Sequence, residues 1–184
     1  MTKLDVTNVP RELDELIKTT SNPRHRQILE VVRRHYLLEL TGRLDEIFAP
    51  DMMTDDPVYL VNFDGASRTL RGRAEITAFY QEQSGVVLAT DTNTHAVSDD
   101  GYWSVCWFNF FVPGHLKRHW ITMFWPFDEH ARVAGEQIYE HADRTEVVPI
   151  DPADVITFAD ACKQLEPLLR PLPSYRAETV PRSR

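Results

Sequence analysis

Apolar residues recur at three- and four-residue spacing along the first part of the chain and at alternate positions after Gly85. The first periodicity marks helices and the second marks strands. Asn8 is placed to cap a short helix with Pro10 just inside it, and Leu13, Leu16 and Ile17 form its apolar stripe. Ser21-Asn22-Pro23 ends that helix. A longer one is predicted from Arg24 to Leu40, with Ile28, Val31, Val32, His35 and Leu38 on one face, widened by Leu29, Tyr36 and Leu40, and with Gly42 as its stop. A short helix over Arg43 to Phe48 follows, then a strand over Val58 to Val61, a loop from Asn62 to Ser67, and a helix from Arg73 to Glu82 that turns Ile76, Phe79 and Tyr80 inward.

The alternating part predicts four strands: 86–98, 102–112, 115–127 and 133–143. Asp99-Asp100-Gly101, Pro113-Gly114 and Asp128-Glu129-His130 separate them, so consecutive strands pair antiparallel in a curved meander. Trp103, Trp107 and Phe111 share one strand face and Phe108 and Phe110 the other. A strand apolar on both faces is covered on both. Helices cover one face; the other needs the cavity wall, the C-terminal extension or a second subunit, and a homodimer is expected on that ground. Beyond Asp151 the pattern returns to helix, with Pro152 at the start of a short one and a Thr157/Asp160 capping box opening a second. The expected organisation is a helical arm over 1–22, a main domain over 23–148, a helical extension over 149–172 and a disordered tail over 173–184.

Composition narrows the function classes. The 184 residues hold 28 acidic against 20 basic side chains, a net charge of -8. That argues against nucleic acid or an anionic membrane as partner, since both select clustered Lys and Arg. Met1 to Pro10 has no signal-peptide pattern and no apolar run is long enough to span a bilayer, so a cytoplasmic protein is expected. Cys106 and Cys162 form neither a disulfide framework nor a zinc pattern. His115 and His119, four apart on a strand, lie too far from each other for a metal pair, and no metal site is expected. With seven glycines and no nucleotide-binding or nucleophile motif, the chain is expected to work without a cofactor.

The segment Phe48-Ala49-Pro50-Asp51-Met52-Met53-Thr54-Asp55-Asp56-Pro57-Val58 places two carboxylates at the start of a strand. Strand neighbours face opposite ways, so one of Asp55 and Asp56 should point inward, where desolvation would suit it to proton transfer. The same residues also read as a turn. The segment resembles ketosteroid isomerase and SnoaL-like proteins of the NTF2-like superfamily. Gly42-Arg43-Leu44-Asp45 upstream and Gly72, Glu75, Ile76, Phe79 and Tyr80 downstream extend the resemblance, which covers roughly Arg24 to Asp143.

The resemblance implies an α+β cone, an NTF2-like fold in which a curved antiparallel sheet is closed by three N-terminal helices. It implies Asp56 as general base and Tyr36 as oxyanion donor, and it puts Thr122 where the isomerases carry a second acid. His35 faces about 100° from Tyr36 on the helix, so one of the two points fully into the cavity. Further pocket candidates are Asp55, Tyr59, Trp107, Asn109, Thr122, Phe124, Tyr139 and His141. On the last strand Gln137, Tyr139 and His141 share one face, and Glu136, Ile138 and Glu140 the other. The expected function is acid–base chemistry on an apolar small molecule, such as a steroid, terpenoid or polyketide. The alternative is a binding or dimerisation module on the same fold.

Overall fold

The structure, a computed structural model, describes residues 4–83, 87–112 and 114–172. Its central helix owes both ends to local chemistry. Helix α1 (Asn8–Thr19) comes first, with Thr7 rather than Asn8 at its cap position and Leu13 and Ile17 fully buried. Helix α2 (Pro23–Leu40) starts where the Asn22 side chain accepts hydrogen bonds from the Arg24 and His25 N–H groups, at 2.9 and 3.3 Å. At the other end Gly42 takes φ +71°, its N–H donates to the Glu39 carbonyl, and the Arg43 N–H donates to that of Leu38. This is a Schellman stop, and it fixes the last helical turn, which carries Tyr36 and Glu39.

A one-turn helix α3 (Leu44–Ile47) leads into strand β1 (Met53–Phe63), which hairpins into β2 (Ala66–Arg71). The predicted loop over Asn62 to Ser67 is therefore a tight turn. Asp64 and Gly65 both take positive φ, 51° and 76°, as a two-residue turn between right-twisted strands requires. Helix α4 (Gly72–Glu82) follows, then β3 (Leu88–Ser98), β4 (Gly101–Val112), β5 (His115–Pro126) and β6 (Val133–Glu140). The fourth strand of the meander ends earlier than predicted. A 3-10 turn at Ala142–Arg144 and a short strand β7 (Glu146–Pro149) on the edge of β5 take its place. Helix α5 (Phe158–Leu165) is capped by Thr157, which accepts from the Asp160 N–H and donates to its carboxylate. Residues beyond 172, where a disordered tail was expected, lie outside the described part.

The sheet order is β2-β1-β6-β5-β4-β3, antiparallel except for the parallel β1–β6 pair. This is the expected α+β plan: one open, curved sheet with helices on its concave side. Curvature has local sources. β3 carries a bulge between Asp91 and Thr94, which bends and twists a strand. Gly135 lets β6 approach β1 closely: a Cβ there would lie 2.0 Å from the Val58 carbonyl oxygen. Gly135→Ala is expected to cost ~3 kcal/mol of stability, the upper range for overpacking, measured by urea unfolding. An unchanged midpoint would mean that the two strands can part freely.

Burial alternates along the strands, and this assigns the faces. Tyr102, Ser104, Cys106 and Phe108 of β4, and His119, Ile121, Met123 and Trp125 of β5, turn to the core with Tyr59 and Val61 of β1. Their sequence neighbours form the convex face, where Trp103 and Phe124 stack at 4.3 Å and the Arg118 and Arg144 guanidinium groups lie over Trp107 and Trp120. Trp103 and Tyr139 stay more than a third exposed on that face. No described helix is long and apolar enough to cross a membrane.

Candidate functional site

The concave side encloses a cavity between the end of α2, α4 and the sheet. Its walls are largely aromatic, with Phe63, Phe79, Phe108, Phe110 and Trp125 prominent, and two carboxyls enter it: Glu39 from α2 and Glu136 from β6. The free interior is about 30 Å³, room for one or two water molecules between close-set side chains.

Glu39 lies one helical turn beyond Tyr36, so both project from the same face of α2. It is half-buried and lines the cavity. Burial pushes its carboxyl up to about 7. Glu136 is 5% exposed, and its carboxyl is pushed well above the ordinary range, first by burial and then by the nearby charge of Glu39. Trp125 Nε1 lies near enough to the Glu136 carboxyl to favour its ionised form, although it makes no well-formed hydrogen bond to any described residue. Two carboxyls that share a dry cavity cannot both ionise readily. The pair therefore retains at least one proton near neutral pH.

A chain of hydroxyls borders the pair. The Tyr59 and Tyr80 hydroxyls lie 3.0 Å apart, and Tyr80 Oη is 3.0 Å from His35 Nε2. Tyr59 pairs with Glu136 in the β1–β6 register, which puts the two side chains on the same face. His35 is wholly buried, and burial lowers its imidazole to about 3, so the ring is neutral. Its Nδ1 has no partner among the described residues. On the opposite side Tyr36 Oη and Thr90 Oγ1 lie 2.7 Å apart. Burial raises the hydroxyls of Tyr36, Tyr59 and Tyr80 well above the usual phenol range, so all three remain protonated donors.

Some of the expected site residues meet here and others do not. Tyr36 lines the cavity, while His35 and Tyr59 lie behind it and connect through Tyr80. Asp55 and Asp56 are both exposed. The expectation that one of them turns inward fails because β1 bulges: the six residues of β1 from Met53 to Val58 span what three residues of β6, Val133 to Gly135, cover. The segment around Asp55 and Asp56 therefore loops away from the ladder, and the inward alternation resumes only at Pro57 and Tyr59.

The other candidates fall on the convex face. Trp107 packs against Trp120. Asn109 is fully buried, and its side chain donates to the Ala89 and Trp107 carbonyls and accepts from Arg118, so both amide hydrogens are taken within the protein. Thr122 Oγ1 is 2.9 Å from His141 Nε2, Phe124 stacks on Trp103, and Tyr139 is exposed. On the last strand it is the Glu136, Ile138 and Glu140 face that turns inward. Glu140 holds buried His119 Nδ1 at 2.6 Å.

Sequence reasoning missed Glu39, Glu136, Tyr80 and Thr90 as site residues. The signal for Glu39 was its spacing from Tyr36. For Glu136 it was the shared face with Ile138, an apolar residue that belongs inside.

No protein-family model and no curated protein matches the chain. Solved structures do. A Δ5-3-ketosteroid isomerase from a Mycobacterium species superposes with a TM-score of 0.50 at 16% identity, covering 66% of this chain and 98% of the other. A Mycobacterium tuberculosis protein solved with estradiol-17β-hemisuccinate gives 0.51 at 14%, covering 65% and 98%. An epoxide hydrolase of the LEH-like kind from M. tuberculosis gives 0.51 at 15%, covering 80% and 98%. The chain has the NTF2-like fold of these proteins.

Proposed function

We propose that the protein is an acid–base enzyme acting on a small, largely apolar molecule that carries a carbonyl, hydroxyl or epoxide oxygen. The observation that carries this reading is the carboxyl pair: two glutamates in one aromatic cavity, with Glu39 raised to about 7 and Glu136 higher still. Pairs of titratable groups whose surroundings hold them in different protonation states near neutral pH mark an acid and a base. Glu39 would take a proton from the substrate or from a water. Glu136, protonated, would donate to the substrate oxygen. Tyr36 and the Tyr59–Tyr80–His35 chain would steady charge developing on that oxygen, as preorganised donors do in a dry site. The likeness to an isomerase and an epoxide hydrolase supports a small-molecule substrate for the same cavity. Asp56, exposed on the bulge, has no part in this scheme.

The test has two arms. The side-chain carboxyls of ¹³C-labelled protein are titrated by NMR, and turnover is measured across neutral apolar ketones, secondary alcohols and epoxides. One glutamate is expected to titrate near pH 7 while a second stays protonated beyond it. Titration of both near the usual glutamate value of 4.5 would remove the basis of the proposal.

A second reading rests on the narrowness of the cavity. An interior of about 30 Å³ holds no steroid unless the side chains that line it move apart. A binding module with a filled interior, paired with a second copy through the aromatic convex face, would leave the carboxyls shifted but give no turnover with any of these compounds.

A further inference from the structure

A second concavity lies on the other side of α2, away from the sheet. It measures about 420 Å³ and runs between α2, the α3 turn and the segment after α5. Leu38, Leu169, Pro171 and Leu172 supply apolar wall, and Arg34, Arg43, Glu46 and Asp51 line it as well. Glu30 and Arg33 complete the lining from α2.

Its charges match up with one exception. Arg33 is held by the Asp14 carboxylate and donates to the Leu168 carbonyl at 2.7 Å. Arg34 pairs with Asp51 at 2.9 Å, and Arg43 grips Glu46 through two hydrogen bonds of 2.6 and 2.7 Å. Every arginine of the lining thus has its carboxylate. Glu30 has none. Its side chain is 9% exposed, and its Oε1 is buried without a hydrogen-bond partner among the described residues. Burial holds its carboxyl above the usual range, against the pull of the nearby arginine charges. A carboxylate left in that state costs free energy until a donor reaches it.

We infer that this groove binds a small amphipathic cation, a primary ammonium with an apolar body, whose head pairs with Glu30 and whose chain lies along Leu38, Leu169 and Leu172. A concavity of this volume with a few fixed polar groups on apolar walls suits such a ligand. The groove is separate from the Glu39–Glu136 cavity, and the inference holds whether or not that cavity catalyses.

The experiment titrates the full chain with hexylammonium, hexanol and hexanoate, three probes of equal chain length and different head charge. A hydrogen bond to a charged group predicts that hexylammonium binds about tenfold or more tighter than hexanol. Glu30→Gln keeps the side-chain shape and should erase that preference without lowering the thermal midpoint, because it removes an unpaired buried charge. Glu39→Gln, altered in the other cavity, should leave the preference intact. Equal affinity for the three probes, no saturable binding at millimolar concentration, or loss of the preference in Glu39→Gln rather than Glu30→Gln would each overturn the inference.

Discussion

Glu39→Gln is expected to raise the free energy of unfolding by about 3 kcal/mol near pH 8 and by almost nothing near pH 4. Free glutamate in the unfolded chain gives up its proton around its ordinary value of 4.5, whereas the native carboxyl keeps its own until about 7. Between those values the native state binds more protons than the unfolded one, so stability falls as pH rises through the window. Above it the native state carries a carboxylate held in an apolar cavity, and the penalty is complete. Glutamine has the same shape and no charge to desolvate.

His35 tilts the wild-type profile the other way. The buried ring stays neutral down to about 3, while the unfolded imidazole takes a proton below its ordinary value of 6.5. It therefore contributes a rise in stability between those two pH values, which offsets Glu39 where their windows overlap. The wild type should lose stability as pH rises above about 4.5, since Glu39 and Glu136 together outweigh His35, and the decline should continue above neutrality once the His35 window has closed. The difference between Glu39→Gln and wild type isolates the single carboxyl. Urea unfolding across the pH range that finds no gain for the variant in mild alkali would show that Glu39 is hydrated, and the cavity would lose its titratable group.

Most of the architecture could be read from the chain because it follows from local rules. Asn22, Pro23 and Gly42 bracket α2 in the sequence as they do in space, and alternation with turn residues between runs located the meander. Asp64-Gly65 carried the missed hairpin in plain view, since that dipeptide suits positive φ at both positions. The site was less legible because it depends on registers that neighbouring strands impose on each other. The β1 bulge is invisible in β1 alone: it shows only in the register with β6, where Met53 pairs with Val133 and Val58 with the closely approaching Gly135. The same holds for β4 and β5, aromatic on both faces, where composition could not say that Trp107 and Phe124 lie outside and Phe108 and Trp125 inside. A motif placed the acid on the strand entry; tertiary geometry put the acids at the end of α2 and in the middle of β6.

That difference sets up a direct contest in turnover. On the proposed chemistry, Glu39→Gln removes the base and should lower kcat by at least about 10²-fold, the usual scale for a positioned proton acceptor. Asp56→Asn, far from the cavity in the solvated bulge, should leave kcat within about twofold, as surface substitutions away from a site do. Glu136→Gln then separates two roles for the second carboxyl. Its amide still donates a hydrogen bond but has no proton to give up. A loss near tenfold would make Glu136 an oxyanion donor, whereas a loss of the same order as for Glu39→Gln would make it the general acid. The pH dependence adds a check, because the limb assigned to the base should lie near 7 in the wild type and vanish in Glu39→Gln. If instead Asp56→Asn abolishes turnover and Glu39→Gln does not, the bulge must close over the substrate during the reaction, and the base belongs to the strand entry after all.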